Sequence, residues 1–272
     1  MGGLYAVSDI HGHLEVLVAT LHANGLTDAD GHWTGGDARL WFLGDYVDRG
    51  PDGLAVIELA MRLEDEAAAA GGSATALLGN HEILLLGTQR YGETEIPSDP
   101  RFNFAVNWIH NGGVITDLEG LTEEHLDWLT TRDVIASVDG HLLMHSDTTG
   151  YLLWADEVDQ INAAVRAELH MPDLETWWEA WTRLTHRYAF SGEDGHEVAR
   201  TMLATLGGND IVHGHTIGAT LRGGGVTAHD EPVRYAGGLV LDIDGGIYLG
   251  GPCQLVRLDT QEPPGLVPDG SR

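Results

Sequence analysis

The sequence predicts an α/β fold, in the broad sense that includes α+β proteins, built as a sandwich of β-sheets flanked by helices. Short runs of β-branched and aliphatic residues recur along the chain, and helical patterns lie between several of them in its first third. Hydrophobic residues make up 43% of the 272 residues, which is enough for a substantial core. Strands that alternate with helices are typical of layered α/β domains. We therefore expect a folded α/β domain.

The individual elements follow from local patterns. Strands are predicted at residues 4–7, 40–43, 75–78, 141–144, 211–212 and 239–243. A helix is predicted at 13–24, where leucine and valine recur at helical spacing before a glycine. A second helix is predicted at 51–70, because Pro51 suits a first helical turn and two glycines follow. Glycine-rich strands near the C-terminus favour an antiparallel second sheet.

Two insertions interrupt this pattern: a polar loop at 88–101 and a mostly helical segment at about 151–206. The second insertion contains four tryptophans, Trp154, Trp177, Trp178 and Trp181. Aromatic residues at helical spacing usually pack in a core, so we assign them no ligand role. Residues 1–258 are predicted to form a single domain, and residues 259–272, where proline, glycine and polar residues accumulate, a flexible tail.

The composition excludes several kinds of chemistry. Cys253 is the only cysteine, which excludes an internal disulfide, a cysteine zinc site and an iron-sulfur cluster. The chain has no lysine, so a P-loop ATPase and a Schiff-base aldolase are poor candidates. Its formal net charge of -28 would repel nucleic acid. An anionic substrate would therefore need bound cations and arginines to reverse the local charge.

The sequence contains neither a recognisable secretory signal nor an apolar run of the roughly 20 residues that a membrane span requires. The N-terminus lacks a positive segment, and a predicted strand begins at residue 4. We therefore expect a soluble protein of the cytoplasm that does not associate with a membrane.

Polar residues follow several of the predicted strands at their carboxyl ends. These residues are Asp9, His11, Asp45, Asn80, His145 and His215. Side chains at the carboxyl ends of strands converge on one edge of a sheet, where α/β folds place their sites. Carboxylate, amide and imidazole groups are metal ligands, so the pattern predicts a metal site. Each cluster taken singly is also common turn chemistry, and the prediction depends on their combination.

Three blocks of the sequence carry a resemblance to a known family. They are residues 9–12 (DIHG), 44–50 (GDYVDRG) and 79–82 (GNHE). They resemble the signature blocks of the PPP serine/threonine protein phosphatases, a family of the calcineurin-like phosphoesterase superfamily. The resemblance extends to His145, to residues 214–216 and, more loosely, to 244–246, and short bacterial and phage-type members are most similar. It implies a four-layer metallophosphoesterase-like β-sandwich of mixed sheets flanked by helices.

The resemblance also implies two divalent metal ions that activate a water for in-line attack on phosphorus. Asp9 and His11 would bind one ion, Asp45 would bridge both, and Asn80, His145 and His215 would complete the second site. Oxygen ligands mixed with imidazole suit Mn²⁺, with Fe or Zn²⁺ as alternatives.

Four further residues match catalytic positions of that family. Arg49 would bind the phosphoryl group, and Arg187 fits a second phosphate-binding arginine better than Arg183 does. His81 would protonate the departing alkoxide, and Asp48 would orient its ring. Ser146 and Asp147 depart from the family pattern, in which small residues follow the histidine, and Asp147 could contact the metal ligands or the substrate.

The sequence leaves several functions open. The leading prediction is a metal-dependent protein serine/threonine phosphatase acting on a phosphoprotein or on small phosphorylated molecules. Relatives with the same metal-binding sequence blocks hydrolyse diadenosine polyphosphates symmetrically, and this reaction is a second candidate function. A non-catalytic phosphate-binding scaffold could dispense with His81, Asp48 or Arg49, and this chain keeps all three. A metallonuclease is disfavoured by the net charge and the missing lysines.

Overall fold

The structure is a computed structural model that describes residues 2–221, 223 and 225–259. The strands of this part of the chain are β1 (Leu4–Val7), β2 (Arg39–Phe42), β3 (Ser73–Ala76), β4 (Ile135–Val138), β5 (His141–Met144), β6 (Asp210–His213), β7 (Val233–Tyr235), β8 (Val240–Asp242) and β9 (Val256–Arg257). Its α-helices are α1 (Leu14–Ala23), α2 (Gly53–Ala69), α3 (Asn80–Tyr91), α4 (Phe104–His110), α5 (Ile115–Gly120), α6 (Glu123–Thr130), α7 (Val158–His170), α8 (Leu174–Thr185), α9 (Gly195–Leu206) and α10 (Gly218–Leu221). The predicted tail lies outside the described residues, apart from Asp259.

The first sheet has the strand order β3-β2-β1-β9. Strands β1, β2 and β3 are parallel, and β9 pairs antiparallel with β1. Parallel neighbours need a crossover connection, and α1 and α2 supply it, as their sequence patterns predict. The carboxyl ends of the three parallel strands therefore lie at one edge of this sheet.

The second sheet has the order β4-β5-β6-β8-β7 and is mixed. Its central strands β5, β6 and β8 are parallel, and β4 and β7 pair antiparallel at the edges. The expectation of an antiparallel second sheet is therefore wrong for its centre. The physical reason is the helical segment α7 to α9, which is long enough to return the chain to the start of the sheet and make β6 parallel to β5.

The two sheets pack face to face, with helices on their outer faces. One set of strand side chains forms a core between the sheets, and it includes Leu4, Ala6, Leu143, Val212 and Leu241. Alternate residues of the same strands, such as Val7, Leu142 and Val240, join a larger core that contains the helices. Because successive side chains of a strand point to opposite faces, this division gives four layers. The predicted four-layer β-sandwich of mixed sheets is confirmed.

Other sequence expectations differ in their boundaries. The predicted loop at 88–101 begins inside α3, which continues to Tyr91. Trp177 and Trp181 are buried, and Trp154 and Trp178 pack against the core as partly buried residues, which confirms their predicted place. No helix in the described ranges combines the length and the apolar character needed to cross a bilayer.

Candidate metal centre

Five loops carry the predicted ligands to one place at the carboxyl ends of strands from both sheets. Asp9 and His11 follow β1, Asp45 follows β2, and Asn80 begins α3 after β3. His145 directly follows β5, and His215 follows β6. The side chains of all six are buried, although polar groups are usually exposed. The structure therefore assembles one polar cluster inside the protein.

The backbone of these loops is strained where it carries the polar residues. Nine non-glycine residues in the described part have a left-handed φ, and six of them belong to the predicted site. They are Asp9 (53°), His11 (46°), Asp45 (58°), Asp48 (66°), Arg49 (67°) and His215 (67°). Such conformations persist only where surrounding contacts impose them, and they concentrate at functional sites. Here the β1 and β2 loops impose them on each other through backbone hydrogen bonds, including His11 N to the Asp45 carbonyl at 2.9 Å.

Asp45 is the carboxylate that two groups of potential ligands share. Its Oδ2 lies 3.6 Å from His11 Nε2 and 3.9 Å from His81 Nε2. Its Oδ1 lies 3.3 Å from His145 Nε2, and His215 completes that second group. Asn80 Oδ1 also lies 2.9 Å from His145 Nε2. The two groups of potential ligands therefore lie side by side and share the carboxylate of Asp45.

Asp9 lies at the edge of the two ligand groups. His81, in contrast, lies within the first group, although the sequence assigns it another role. Asp9 Oδ1 is 3.9 Å from His11 Nε2, while its Oδ2 accepts hydrogen bonds from Ser8 Oγ and His215 N. The residues close enough together to hold the first of the two cations are His11, Asp45 and His81. The geometry thus brings together all six predicted ligands and adds the imidazole that the sequence assigns to proton transfer.

Backbone carbonyls fix which ring nitrogen of each histidine faces the centre. His11 Nδ1 donates to the carbonyl of Val47 at 2.9 Å, and His145 Nδ1 donates to that of Leu43 at 3.0 Å. His215 Nε2 donates to the carbonyl of Thr185 at 3.1 Å. The other nitrogen of each neutral ring therefore keeps its lone pair and can bind a cation, as metal-binding histidines do.

The donor set fits divalent cations. Asp45 Oδ1, Asn80 Oδ1 and the lone pair of His145 Nε2 converge, and these electron-rich atoms repel one another unless a positive charge lies among them. Burial opposes protonation of His145, but the carboxylate of Asp45 raises its pKa to about 9. Burial also raises the pKa of Asp9, and the positive charge of His145 only partly offsets this shift. A divalent cation would replace the proton and satisfy these ligands.

A second polar group lies beside this cluster. His81 Nδ1 donates to Asp48 Oδ2 at 2.7 Å, and Asp48 Oδ1 accepts a 2.7 Å hydrogen bond from Trp108 Nε1. The structure therefore forms the predicted pair and leaves His81 Nε2 facing the centre. Trp108 was not predicted, because it is 60 residues from Asp48 in the chain and no local motif connects the two.

Arg49 lies over the first group of ligands. It donates from Nη1 to His11 Nε2 and from Nη2 to His81 Nε2, both at 2.9 Å. Its guanidinium carbon lies 4.2 Å from the ring centroid of Tyr248, a residue that the sequence patterns did not select. The carbonyl of Gly112 accepts a hydrogen bond from Arg49 N. Arg49 is thus held at the centre, as predicted.

Arg187 and Arg183 have different surroundings. Burial and then the positive charge of Arg187 hold the pKa of His215 well below its usual value, so this exposed guanidinium lies near the centre. Arg183 instead pairs with Glu179 at 3.1 Å and lies over Trp154 at 4.9 Å. Of the two, Arg187 is the one whose charge acts on a residue of the polar cluster.

Glu82 was not assigned a role from the sequence, although it stands in one of the three blocks. Its Oε2 accepts hydrogen bonds from Asp45 N and Gly79 N, both at 2.9 Å. Its Oε1 accepts from Tyr46 N at 2.7 Å and from Val47 N at 3.4 Å. Burial raises its pKa to about 7. Glu82 thus ties the β2 loop to the start of α3.

Glu82→Gln is expected to destabilise the protein by about 2–4 kcal/mol, because the amide NH₂ cannot accept the hydrogen bonds of two buried backbone N–H groups. Urea unfolding of metal-free protein measures the change. Glu119→Gln, at an exposed position of α5, is the matched control and should alter stability little. Equal midpoints for Glu82→Gln and the wild type would contradict this role.

Asp117 is a second acidic residue that the sequence did not indicate. Its side chain is 2% exposed, and its Oδ2 accepts a hydrogen bond from Asp48 N at 3.1 Å. Burial raises its pKa to about 6. The folded protein therefore holds this proton more tightly than the unfolded chain, so the contribution to stability is largest below about pH 4 and is lost as the pH rises through 6.

Relative to Asp117→Asn, the wild type should lose about 1–3 kcal/mol of unfolding free energy between pH 4 and pH 7, because only the wild type loses this proton. Urea titrations of both metal-free proteins across that range measure the difference. Asp127→Asn, on an exposed part of α6, should give a curve parallel to the wild type. A constant difference between Asp117→Asn and the wild type would contradict the raised pKa.

Several known proteins are similar to this chain in sequence, and solved structures are similar to it in fold. An uncharacterised protein of Schizosaccharomyces pombe is 30% identical over 78% of this chain and 66% of its own length. Shewanella-like protein phosphatase 2 of Arabidopsis thaliana is 38% identical over 30% of the chain and 21% of its own length. A symmetrical bis(5'-nucleosyl)-tetraphosphatase of Bordetella pertussis is 30% identical over 58% of the chain and 50% of its own length. The chain thus spans a fifth to two thirds of these relatives.

The solved structure of a cold-active protein-tyrosine phosphatase from a psychrophilic Shewanella species superposes with a TM-score of 0.69 and 25% identity, over 94% of this chain and 74% of that one. The sequence profile of the calcineurin-like phosphoesterases matches residues 4–218, a range that begins just before Asp9 and ends just after His215. This range covers most of the chain and contains every residue of the polar cluster described above. The chain therefore belongs to the calcineurin-like phosphoesterase family.

Proposed function

We propose that the protein is a metal-dependent phosphoesterase and, more specifically, a protein serine/threonine phosphatase of the PPP type. The observation that carries the proposal is the pair of ligand groups that share Asp45, with the His81–Asp48 pair and Arg49 beside them. A binding scaffold needs no proton donor, whereas hydrolysis of an alkyl phosphate does. The Arabidopsis relative is named a protein phosphatase and the Shewanella structure a protein-tyrosine phosphatase, so their names support a protein phosphatase without distinguishing the phosphorylated residue.

The metal ligands are proposed to be Asp9, His11, Asp45, Asn80, His145 and His215. Two divalent cations held there, which we propose to be Mn²⁺, would polarise the phosphoryl oxygens and supply a water of low pKa. The chain's own groups have separate tasks. Arg49 and Arg187 would bind the phosphoryl oxygens, because guanidinium groups match their charge and geometry. They also offset the acidity of a chain with 42 acidic and 14 basic residues.

His81 is proposed as the proton donor to the leaving oxygen. Its Nδ1–H bond to Asp48 fixes the ring with Nε2 toward the centre, from which a proton on Nε2 would pass to the leaving oxygen. Trp108 holds Asp48 from the other side and prevents that carboxylate from turning away. The arrangement donates a proton to an alkoxide, which the ester of a serine or threonine side chain requires.

The second candidate is symmetrical hydrolysis of diadenosine polyphosphates. The specific observation in its favour is the similarity to the nucleosyl tetraphosphatase of Bordetella, which covers more of this chain than the match to the Arabidopsis phosphatase does. The metal ligands serve either substrate, since both reactions displace an oxygen from phosphorus. The difference must therefore come from the loops around the centre.

A Mn²⁺-supplemented assay panel tests the proposal. It compares a phosphoserine or phosphothreonine peptide, a phosphotyrosine peptide, diadenosine tetraphosphate and an aryl phosphate, with Asp45→Asn as the inactive control. The phosphoserine or phosphothreonine peptide is expected to give a kcat/KM at least about tenfold above that of the dinucleotide. Faster release of ADP from the dinucleotide would favour the second candidate. A metal-replete protein that hydrolyses none of them would leave only a binding role.

A further inference from the structure

Asp147 has contacts that the proposed chemistry does not use. It lies two residues after His145, and its exposed fraction is 0%. Its Oδ1 accepts a 2.6 Å hydrogen bond from Thr216 Oγ1, and its Oδ2 accepts a 2.8 Å hydrogen bond from Tyr188 N. Its backbone carbonyl also accepts from Ala189 N at 3.0 Å. One buried residue thus joins the segment after β6 to the segment after α8.

The segment that Asp147 holds is strained. Tyr188 has a φ of 69°, which is unfavourable for a bulky residue, and its side chain is 44% exposed. We call this bend of the chain at Tyr188 the Tyr188 corner. On one side of it, Asp147 accepts the hydrogen bond from Tyr188 N. On the other side, Ser191 donates to the Tyr188 carbonyl from N at 3.2 Å and from Oγ at 2.9 Å. Such a conformation reverts unless the structure around it supplies these bonds.

Arg187 is the residue immediately before this corner. On its other side, the carbonyl of Thr185 accepts the hydrogen bond from His215 Nε2 at 3.1 Å. Arg187 therefore lies between two backbone hydrogen bonds. One joins Thr185 to the proposed metal ligand His215, and the other joins Tyr188 to Asp147. Its backbone is fixed at both ends, although its side chain is exposed. An arginine that is held in this way loses less freedom when it binds an anion.

We propose that Asp147 is a positioning residue that fixes the Tyr188 corner and so holds the Arg187 guanidinium at the edge of the metal centre to bind the phosphoryl group of the substrate. The inference rests on the proposed function, since it names how that site binds phosphate. Asp147 touches neither the substrate nor the reacting atoms, and it acts through Arg187.

The chain offers a conservative variant that separates this role from simple burial. In Asp147→Asn, the side-chain oxygen can accept from Tyr188 N, and the amide NH₂ can donate to Thr216 Oγ1, whose hydroxyl rotates to accept. Both hydrogen bonds survive in Asp147→Asn. Asp147→Ala removes both of them.

Binding of inorganic phosphate to the Mn²⁺-loaded protein, measured by calorimetry, is the first test. Asp147→Ala and Arg187→Ala are each expected to weaken binding by about tenfold, and Asp147→Asn by less than about twofold. The Asp147→Ala/Arg187→Ala double variant should bind no more weakly than Arg187→Ala alone, because both changes remove the same interaction. Equal weakening by Asp147→Ala in the presence and absence of Arg187 would overturn the proposal.

Amide hydrogen exchange of the metal-free proteins provides a readout that does not depend on activity. The amides of Tyr188 and Ala189 should exchange at least about tenfold faster in Asp147→Ala and keep their protection in Asp147→Asn. Unchanged exchange in Asp147→Ala would overturn the positioning role while wild-type phosphate binding remains. A wild-type protein that binds neither phosphate nor an ester would instead overturn the proposed function, and this role with it.

Discussion

Asp45→Asn is expected to lower kcat/KM toward a phosphopeptide by at least about 10³-fold, the largest effect of any single substitution in the chain. Asp45 is the one carboxylate that both ligand groups share, and its two oxygens face different imidazoles, His145 at 3.3 Å and His11 at 3.6 Å. The asparagine NH₂ would place a hydrogen-bond donor where a cation must bind. The change in shape is small, so lost chemistry is the expected cause.

The measurement pairs turnover with metal content, determined on the purified protein by plasma mass spectrometry. The wild type is expected to retain two metal ions per chain, and Asp45→Asn fewer. Asp127→Asn makes the same chemical change on the exposed side of α6 and should leave both quantities unaltered. Full activity in Asp45→Asn with a full metal complement would refute the shared-ligand assignment.

The second large effect is expected at His81. His81→Asn should reduce kcat toward a phosphoserine peptide by about 10²–10⁴-fold with little change in KM, because a proton donor contributes to the transition state and not to substrate binding. An aryl phosphate, whose leaving group needs less protonation, should lose much less. This dependence on the leaving group distinguishes proton donation from a general disturbance of the site.

Metal content decides between two roles of His81, since its Nε2 also lies 3.9 Å from Asp45 Oδ2 in the first ligand group. A proton donor can be removed while both metal ions stay, whereas loss of one ion from His81→Asn would make it a ligand. His141→Asn is the matched control, because His141 forms the same kind of pair with Asp210, at 2.6 Å, away from the centre. It should retain both turnover and metal.

The sequence was most informative where strands end in polar residues. Asp9, Asp45 and Asn80 could be predicted to meet because they follow parallel strands of one sheet, whose carboxyl ends lie together. His145 follows a strand of the other sheet, so its place beside them depends on how the two sheets pack. The family resemblance added the roles, which remain proposals. The strand and helix patterns predicted a sandwich of sheets and helices, and the resemblance implied its four layers, which the two separate cores confirm.

Other features could not be predicted, because they depend on contacts between distant segments. Asp117 and Trp108 act on Asp48 from 69 and 60 residues away, and nothing in their local sequence indicates this contact. The edge strands β7 and β9 contain three and two residues, which is too short for a periodic pattern. The local patterns also did not identify the helical segment between β5 and β6 as a crossover, and this crossover makes the centre of the second sheet parallel.

The left-handed backbone at six residues of the metal centre has a consequence for any effort to evolve the protein. Each of these positions would be more relaxed as glycine, so each stores strain of order 1 kcal/mol that folding elsewhere must offset. A library selected only for resistance to heat would therefore enrich glycine at Arg49, whose side chain is partly exposed, and would lose the proposed phosphate-binding group. Variants of this chain should therefore be selected for turnover as well as for thermal stability.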